Sequence, residues 1–583
     1  MTVLGSVENR RQTLRERFPV WRPRALSQWL DECTESFAAR PFVISDAATM
    51  TYADVAEQSR ELASGLAALG VCEGDRVGLV MANYPEFVPL KFAIARLGAV
   101  AVPFNYLYRD RELAFVVADS ACRVVVTMTA FGSQDYQRMF DAIAPGWDRP
   151  EFAERPASAD SVPDLRHVVA LPVDARARDG ARTVVDLAEL GRGRPVPRPA
   201  TDPAAPGDML YTSGTTGSPK GVVVSHDAVL RTAYASSLTR AYEDGRRILF
   251  SLPCYHMFGY IEGLLSSMFV GGAVVLLPSF SAQGYFRGIE AHGATDMLCV
   301  PTMAVAMVES TDRHDYDLST LRAVLCGSAP APVWLWHRFA EQFGVTEIVT
   351  GYGMTECGGA MTLTRPEDPL ELTSQTVGKP KMAAAAGVAG DGEIVRYRTA
   401  DPDSGDLLPP GAEGELVSSG PTTMSGYWNR PTETARCLRD GWLYSGDLGR
   451  VRADGYLEVT GRSKELYKSG GELVMPKEIE DLLASHPGIS QVYAVGLVDD
   501  RWGEIGCAVV VKAPGAAIDE DEVLALCRSS LARFKVPKRV VFLDVNDLPT
   551  TPTGKVQKFK LVERLQGSVS AQSTAKSSTP SSS

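Results

Sequence analysis

Several features are scarce in this chain of 583 residues, and each scarcity removes a class of answer. The ten cysteines include no C-x-x-C pair, so neither a zinc ribbon nor a dithiol redox motif is spelled out. Cys254, Cys299, Cys326 and Cys507 stand in apolar or glycine-rich runs, the setting of reduced, buried, structural thiols. No uninterrupted apolar run is long enough to span a bilayer, and residues 8–17 are charged where a secretory leader would be apolar, so the cytoplasm is the expected location. Basic excess is missing as well. The 59 Lys and Arg stand against 71 Asp and Glu, and a net charge of -12 argues against a nucleic-acid partner. The Gly-Lys-Ser/Thr ending of an ordinary phosphate loop is not found where hydroxyls and glycines cluster, because Lys220 there is preceded by Pro219 and followed by Gly221.

What remains is a chain with 45% hydrophobic residues, long enough for more than one domain. Apolar runs at 76–81 (RVGLVM) and 123–128 (RVVVTM) read as buried strands, alternating with helical stretches at 59–69 and 89–97. Further short strands follow at AVVLLP, ATDMLCVP and LRAVLCG, each ending where glycine or proline opens a loop. The alternation predicts an α/β domain whose ligands sit at those loop mouths. Residues 148–163 and 192–206 lack periodicity and read as surface excursions, the least ordered internal parts. Residues 566–583 are Ser/Thr/Ala-rich without an aromatic and are expected to form a disordered tail.

The most informative run is YTSGTTGSPKGV, 211–222. Thr212, Ser213, Thr215 and Thr216 offer hydroxyls, Gly214, Gly217 and Gly221 let backbone N–H groups approach phosphate oxygens, and Lys220 adds a point charge. Downstream, GYGMTE (Gly351, Tyr352, Gly353, Met354, Thr355, Glu356) supplies an aromatic plane for a purine, a hydroxyl for a phosphate and a carboxylate for Mg²⁺. In YSGDLG, Asp447 follows a glycine and is free to accept two ribose hydroxyls. GRSKE brings Arg462 and Lys464, KSGG brings Gly470 and Gly471, and PTTPTGKVQK presents Lys555 from a glycine turn.

Taken in order, these motifs resemble the signatures of the adenylate-forming superfamily, which contains acyl-CoA synthetases, peptide-synthetase adenylation domains and luciferases. The resemblance covers about residues 27–565. It implies an α/β fold with a large multi-sheet N-terminal domain (1–461) and a small mobile C-terminal α+β domain (462–565). It also implies that Gly327, Ser328 and Ala329 of CGSAP lie along the adenine and border the acyl pocket, that Arg462 reaches ribose or phosphate, and that Lys464 is the hinge. Gly470 and Gly471 would line the thiol channel, Lys555 would enter the active site, and His256, of PCYHMFGY, would stand beside the incoming carboxylate. The acyl pocket is expected at Tyr255, His256, Gly259, Val300, Gly327, Cys357 and Gly358, where the small residues of CGGA leave space. No acid in 357–361 stands ready to hold an α-amino group, which disfavours amino acids.

The activity implied is ATP-dependent conversion of a carboxylic acid to acyl-AMP, with Glu356 on Mg²⁺, followed by thioester formation with coenzyme A. A carrier protein as acceptor, adenylation of a small inorganic acid such as nitrite for a nitrogen nucleophile, and a non-catalytic nucleotide-binding protein stand as alternatives.

Overall fold

A computed structural model describes residues 5–154, 161–197, 201–212, 219–329, 331–462, 465–469, 472–499, 503–531, 533–551, 554 and 556–566. Among them, two seven-stranded sheets dominate the N-terminal part. One runs Glu347–Val349, Ala323–Cys326, Asp296–Cys299, Arg247–Phe250, Ala273–Leu276, Pro41–Ile44 and Thr49–Thr51, parallel except for the last pair. The other carries the parallel strands His167–Leu171, Cys122–Met128, Arg76–Val80, Val100–Phe104 and Pro206–Thr212, then adds Lys220–Ser225 and Gly426–Tyr427 antiparallel. The strands read from apolar runs are therefore present, and burial on both faces explains why they show no alternation.

The first helical stretch begins earlier than its apolar spacing predicts, spanning Tyr52–Ala68. Its start is fixed by reciprocal capping: Asp54 N donates to Thr51 Oγ1 at 3.1 Å, and Thr51 N donates to Asp54 Oδ2 at 2.8 Å. The excursion at 148–163 is partly packed, since Phe152 and Val162 are buried; its residues 155–160, and 198–200 of the second excursion, lie outside the described residues.

The hydrophobic core of this part runs without a break from Leu14 to Leu443. Residues from Tyr467 onward build a separate sheet, in which Ile489–Asp499 pairs with Gly503–Lys512 and the latter pairs in parallel with Arg539–Phe542. Alternation is clean here: Ala508 and Val510 join one cluster with Ile479 and Leu483, while Cys507, Val509 and Val511 join another with Leu561. The molecule is thus mixed α/β, with a large multi-sheet N-terminal domain and a smaller C-terminal one. All ten cysteines are free thiols, eight of them buried. Among the described residues no helix is long and apolar enough to cross a membrane.

One buried group makes stability depend on pH. His226, which begins the helix His226–Thr239, is fully buried against Gly207, and neither ring nitrogen has a hydrogen-bond partner among the described residues. Burial, reinforced by Lys91, pushes its pKa down to about 3. In the unfolded chain the same ring protonates near 6.5, so between those values the unfolded state binds the extra proton and stability falls as pH falls. At about 1.4 kcal/mol per pH unit, His226 alone removes about 2 kcal/mol between pH 6.5 and pH 5. His167, pushed down to about 4 by burial and nearby arginines, acts in the same direction. Urea denaturation at pH 7 and pH 5 checks this; equal free energies would overturn it, and His226→Phe should flatten the dependence.

Candidate active site

Thr212 closes Pro206–Thr212 and Lys220 opens Lys220–Ser225, and the two stand opposite each other in the antiparallel pair. The loop they bracket includes Ser213, Gly214, Thr215, Thr216 and Gly217, which lie outside the described residues. Its frame is firm, because Tyr211 O–H donates to Asp119 at 2.8 Å and Asp119 also holds Arg430 at 2.6 Å.

Next to Lys220 the strand Gly426–Tyr427 pairs with Val222 and Val223. This pairing sets the Lys220 ammonium 5.2 Å from the Tyr427 ring centre, and Tyr427 O–H donates to Glu356 Oε1 at 2.8 Å. Glu356 is buried, and burial raises its pKa while the Tyr427 hydrogen bond pulls it back down. Thr355, beside it, is buried too. Tyr427 carries no sequence signal of its own; only the strand register brings it between Lys220 and Glu356.

The ribose-binding candidates form a second group. Tyr352, in the strand Gly351–Met354, donates its O–H to Asp447 Oδ2 at 2.6 Å, and Arg462 Nε stands 2.6 Å from Asp447 Oδ1. Asp447 and Arg462 are register partners in adjacent strands, so the pair is built by the sheet itself. Asp447 is buried, whereas Gly353 is exposed.

The acyl-side candidates gather around the ends of parallel strands. Gly327 N donates to Cys299 O, joining two strand ends, and a side chain at 327 would meet the Phe258 ring at 3.4 Å. Ser328 is held at φ 73°, an uncommon conformation for a residue with a side chain, and with Ala329 it is exposed. His256 is half-buried, and its Nδ1 accepts from Phe258 N at 3.2 Å. The ring therefore carries its proton on Nε2 when neutral. Tyr255 is buried edge-on to Tyr106. Gly259 is required by close approach, since a Cβ there would lie 2.4 Å from Leu252 O. Gly358 is required likewise: at φ 97° its Cβ would lie 2.6 Å from Thr422 O, so the absent side chain there is replaced by backbone rather than by open space. Gly359, the next residue, faces Met257, Ile261 and Thr232, and Cys357 is buried behind it.

Lys464, Gly470, Gly471 and Lys555 lie outside the described residues. Described residues on either side of position 555 have defined neighbours. Gly554 comes so close to Val300 that a Cβ on it would lie 2.8 Å from Val300 Cγ2, and Thr550 bridges Val556. Gly554 thus abuts the start of the helix Pro301–Glu309 in the N-terminal part.

Tyr427→Phe isolates one contact. Without the phenol donor the Glu356 carboxylate loses a bond that lowers its pKa, so it ionises only at higher pH. The acid limb of the pyrophosphate-exchange profile should move to higher pH, with about a tenfold lower rate at neutral pH. An unmoved limb would remove Glu356 from the chemistry.

Residues 30–428 match the AMP-binding enzyme family and residues 478–555 match the AMP-binding enzyme C-terminal domain. A feruloyl-CoA synthase of Amycolatopsis is 35% identical over 88% of this chain and 94% of its own length. A long-chain-fatty-acid–CoA ligase of Mycobacterium tuberculosis is 33% identical over 89% of this chain and 94% of its own. The crystal structure of an anthranilate CoA ligase in complex with anthranoyl-AMP superposes with a TM-score of 0.81 at 25% identity, covering 95% of this chain and 99% of that one. Matched by both family models and by these relatives over most of its length, the chain belongs to the AMP-binding enzymes, the adenylate-forming superfamily of acid–thiol ligases.

Proposed function

We propose that the chain joins an aryl or alkyl carboxylic acid to coenzyme A in two half-reactions at one cleft. The observation that supports this reading is the approach of Gly554 to Val300, the residue after Cys299, whose carbonyl accepts from Gly327 N. A carboxylate is a poor electrophile, and ATP converts its oxygen into a leaving group.

In the first half-reaction a substrate carboxylate oxygen attacks the α-phosphorus of ATP and the bond to pyrophosphate breaks. Lys220 and the 212–217 loop hold the departing phosphates, Tyr352 and Arg462 orient Asp447 toward the ribose, and Gly327, Ser328 and Ala329 flank the adenine. Lys555 neutralises charge developing on the α-phosphate oxygens. His256 donates from Nε2 to the acid, positioning it for in-line attack. Glu356 suits Mg²⁺, which usually takes one or two carboxylates and completes its shell with phosphates and water; bound there, the ion would neutralise phosphate charge. In the second half-reaction the thiol of coenzyme A attacks the acyl carbon and AMP leaves. The C-terminal domain turns at Lys464, withdraws Lys555 and presents Gly470 and Gly471 to the thiol arm.

The test is ATP–pyrophosphate exchange against aryl, alkyl and amino acids, repeated as AMP release with and without coenzyme A. Exchange with an aryl or alkyl acid, and AMP release accelerated by coenzyme A, is the expected result. Exchange without acceleration would transfer the acceptor role to another nucleophile, and exchange with amino acids alone would overturn the substrate class.

A further inference from the structure

The segment Phe258–Leu265 is wound as a π-helix, a form that usually appears as short inserts and often at functional sites. Two of its residues are polar and buried. Tyr260 donates to Asp208, which stands 2.5 Å from Lys91 Nζ. Glu262 Oε1 accepts from Lys381 Nζ at 2.6 Å, and the same ammonium donates to Ser236 Oγ at 2.7 Å. Lys381 and Glu262 are 0% and 1% exposed, and Glu262 Oε2 has no hydrogen-bond partner among the described residues. Swapping a buried ion pair for apolar residues is often neutral or better, so stability alone is a weak reason for this one. A buried acceptor without a donor calls for an explanation of its own.

Its position supplies one. Residues four or five apart in an i→i+5 helix share a face, so Glu262 lies about one turn beyond Phe258, whose ring borders Gly327. A Cβ on Gly359 would sit 3.5 Å from Ile261, the neighbour of Glu262, and 3.8 Å from Thr232, one helical turn before Ser236. Lys381 N donates to Met361 O in the strand that Gly359 begins. Thr232, Ser236, Lys381 and Glu262 therefore form a continuous polar run leading away from the Gly359 wall. From His256 to Glu262 is six residues, at most about 9 Å of helix, the length of a cinnamate-like or eight-carbon acid.

We infer that Glu262, held by Lys381 and Ser236, is the polar end of the acyl pocket and selects acids that carry a hydroxyl or N–H donor at the end remote from the carboxylate. The inference rests on the acid-activation reading above. The donor group bonds Oε2 and satisfies it; an acid ending in a methyl or a bare ring edge leaves that oxygen unpaired and is disfavoured.

Pyrophosphate exchange measured as kcat/KM on two matched pairs, 4-hydroxycinnamate with cinnamate and 8-hydroxyoctanoate with octanoate, tests this. The unsubstituted enzyme should prefer the hydroxylated member of at least one pair by about 10- to 100-fold. Glu262→Gln should shrink that ratio several-fold, and Glu262→Leu with Lys381→Met, which removes both charges together, should reverse it. Thermal melting shows whether each variant folds; if the double variant does not, the isosteric Gln variant and the unsubstituted ratio still decide. Equal rates within each pair overturn the inference while leaving acid activation standing. Equal losses on both members in the Gln variant reduce the pair to a structural element and overturn it too. Exchange with none of the four acids also overturns it, and exchange with any other acid on a wider panel then shows that acid activation survives.

Discussion

Lys555→Ala should reduce ATP–pyrophosphate exchange by about 100- to 1,000-fold, the range expected when one donor to a developing oxyanion is removed. The same variant should still convert synthetic acyl-AMP and coenzyme A to thioester and AMP at near the unsubstituted rate. The asymmetry follows from the charge each step develops. Attack on the α-phosphorus builds negative charge on its oxygens, where a cation lowers the barrier; attack of a thiol on an acyl carbon builds it elsewhere. Gly554 and Val556 flank this lysine in sequence, and Gly554 lies so close to Val300 that a Cβ on it would stand 2.8 Å from Val300 Cγ2, the approach on which the proposed role of Lys555 rests. An arginine in its place keeps the charge but changes the reach, and should recover only part of the exchange. Loss of both half-reactions together in Lys555→Ala would show that the residue supports the fold or the second step as well, and would end this division of labour.

The strands that bracket residues 213–218 were legible in the sequence, whereas the phosphate-binding role of the hydroxyls, glycines and lysine gathered there is a proposal read from local composition. The parallel strands were legible because burial on both faces leaves unbroken apolar runs such as the one ending at Met128. Tyr427 was not, because its role depends on lying opposite Val222, and register between segments about 200 residues apart leaves no local trace. Glu262 and Lys381 were hidden in the same way. Each is an ordinary charged residue in its own segment, and only the fold buries them and brings them to 2.6 Å. Gly358 shows the opposite error of interpretation. A glycine pair expected to line a pocket suggests room, yet at Gly358 the backbone of Thr422 occupies that room and the glycine serves close approach. Helix starts also needed more than periodicity, because the capping pair Thr51 and Asp54 outweighs the first apolar residue of the repeat.

Gly554→Ala should separate the closed arrangement from the rest of the enzyme. Gly554 has φ 73°, where a side chain costs about 1–2 kcal/mol, and its Cβ would lie 2.8 Å from Cγ2 of Val300. Val300 is buried at the start of the helix Pro301–Glu309 and has little freedom to yield. The steric penalty falls on the arrangement in which Gly554 meets Val300 and the backbone penalty on the turn itself, so pyrophosphate exchange should drop by about 10- to 100-fold. Thioester formation from acyl-AMP, which the proposed mechanism assigns to a different arrangement, should change little. Val300→Ala deletes the clashing methyl, so the double variant should regain the steric part of the loss and keep the backbone part. Positive coupling in this cycle ties the defect to the contact itself. If Val300→Ala gives no rescue, the damage of Gly554→Ala lies within its own turn, and the abutment of that turn on Val300 plays no part in adenylate formation.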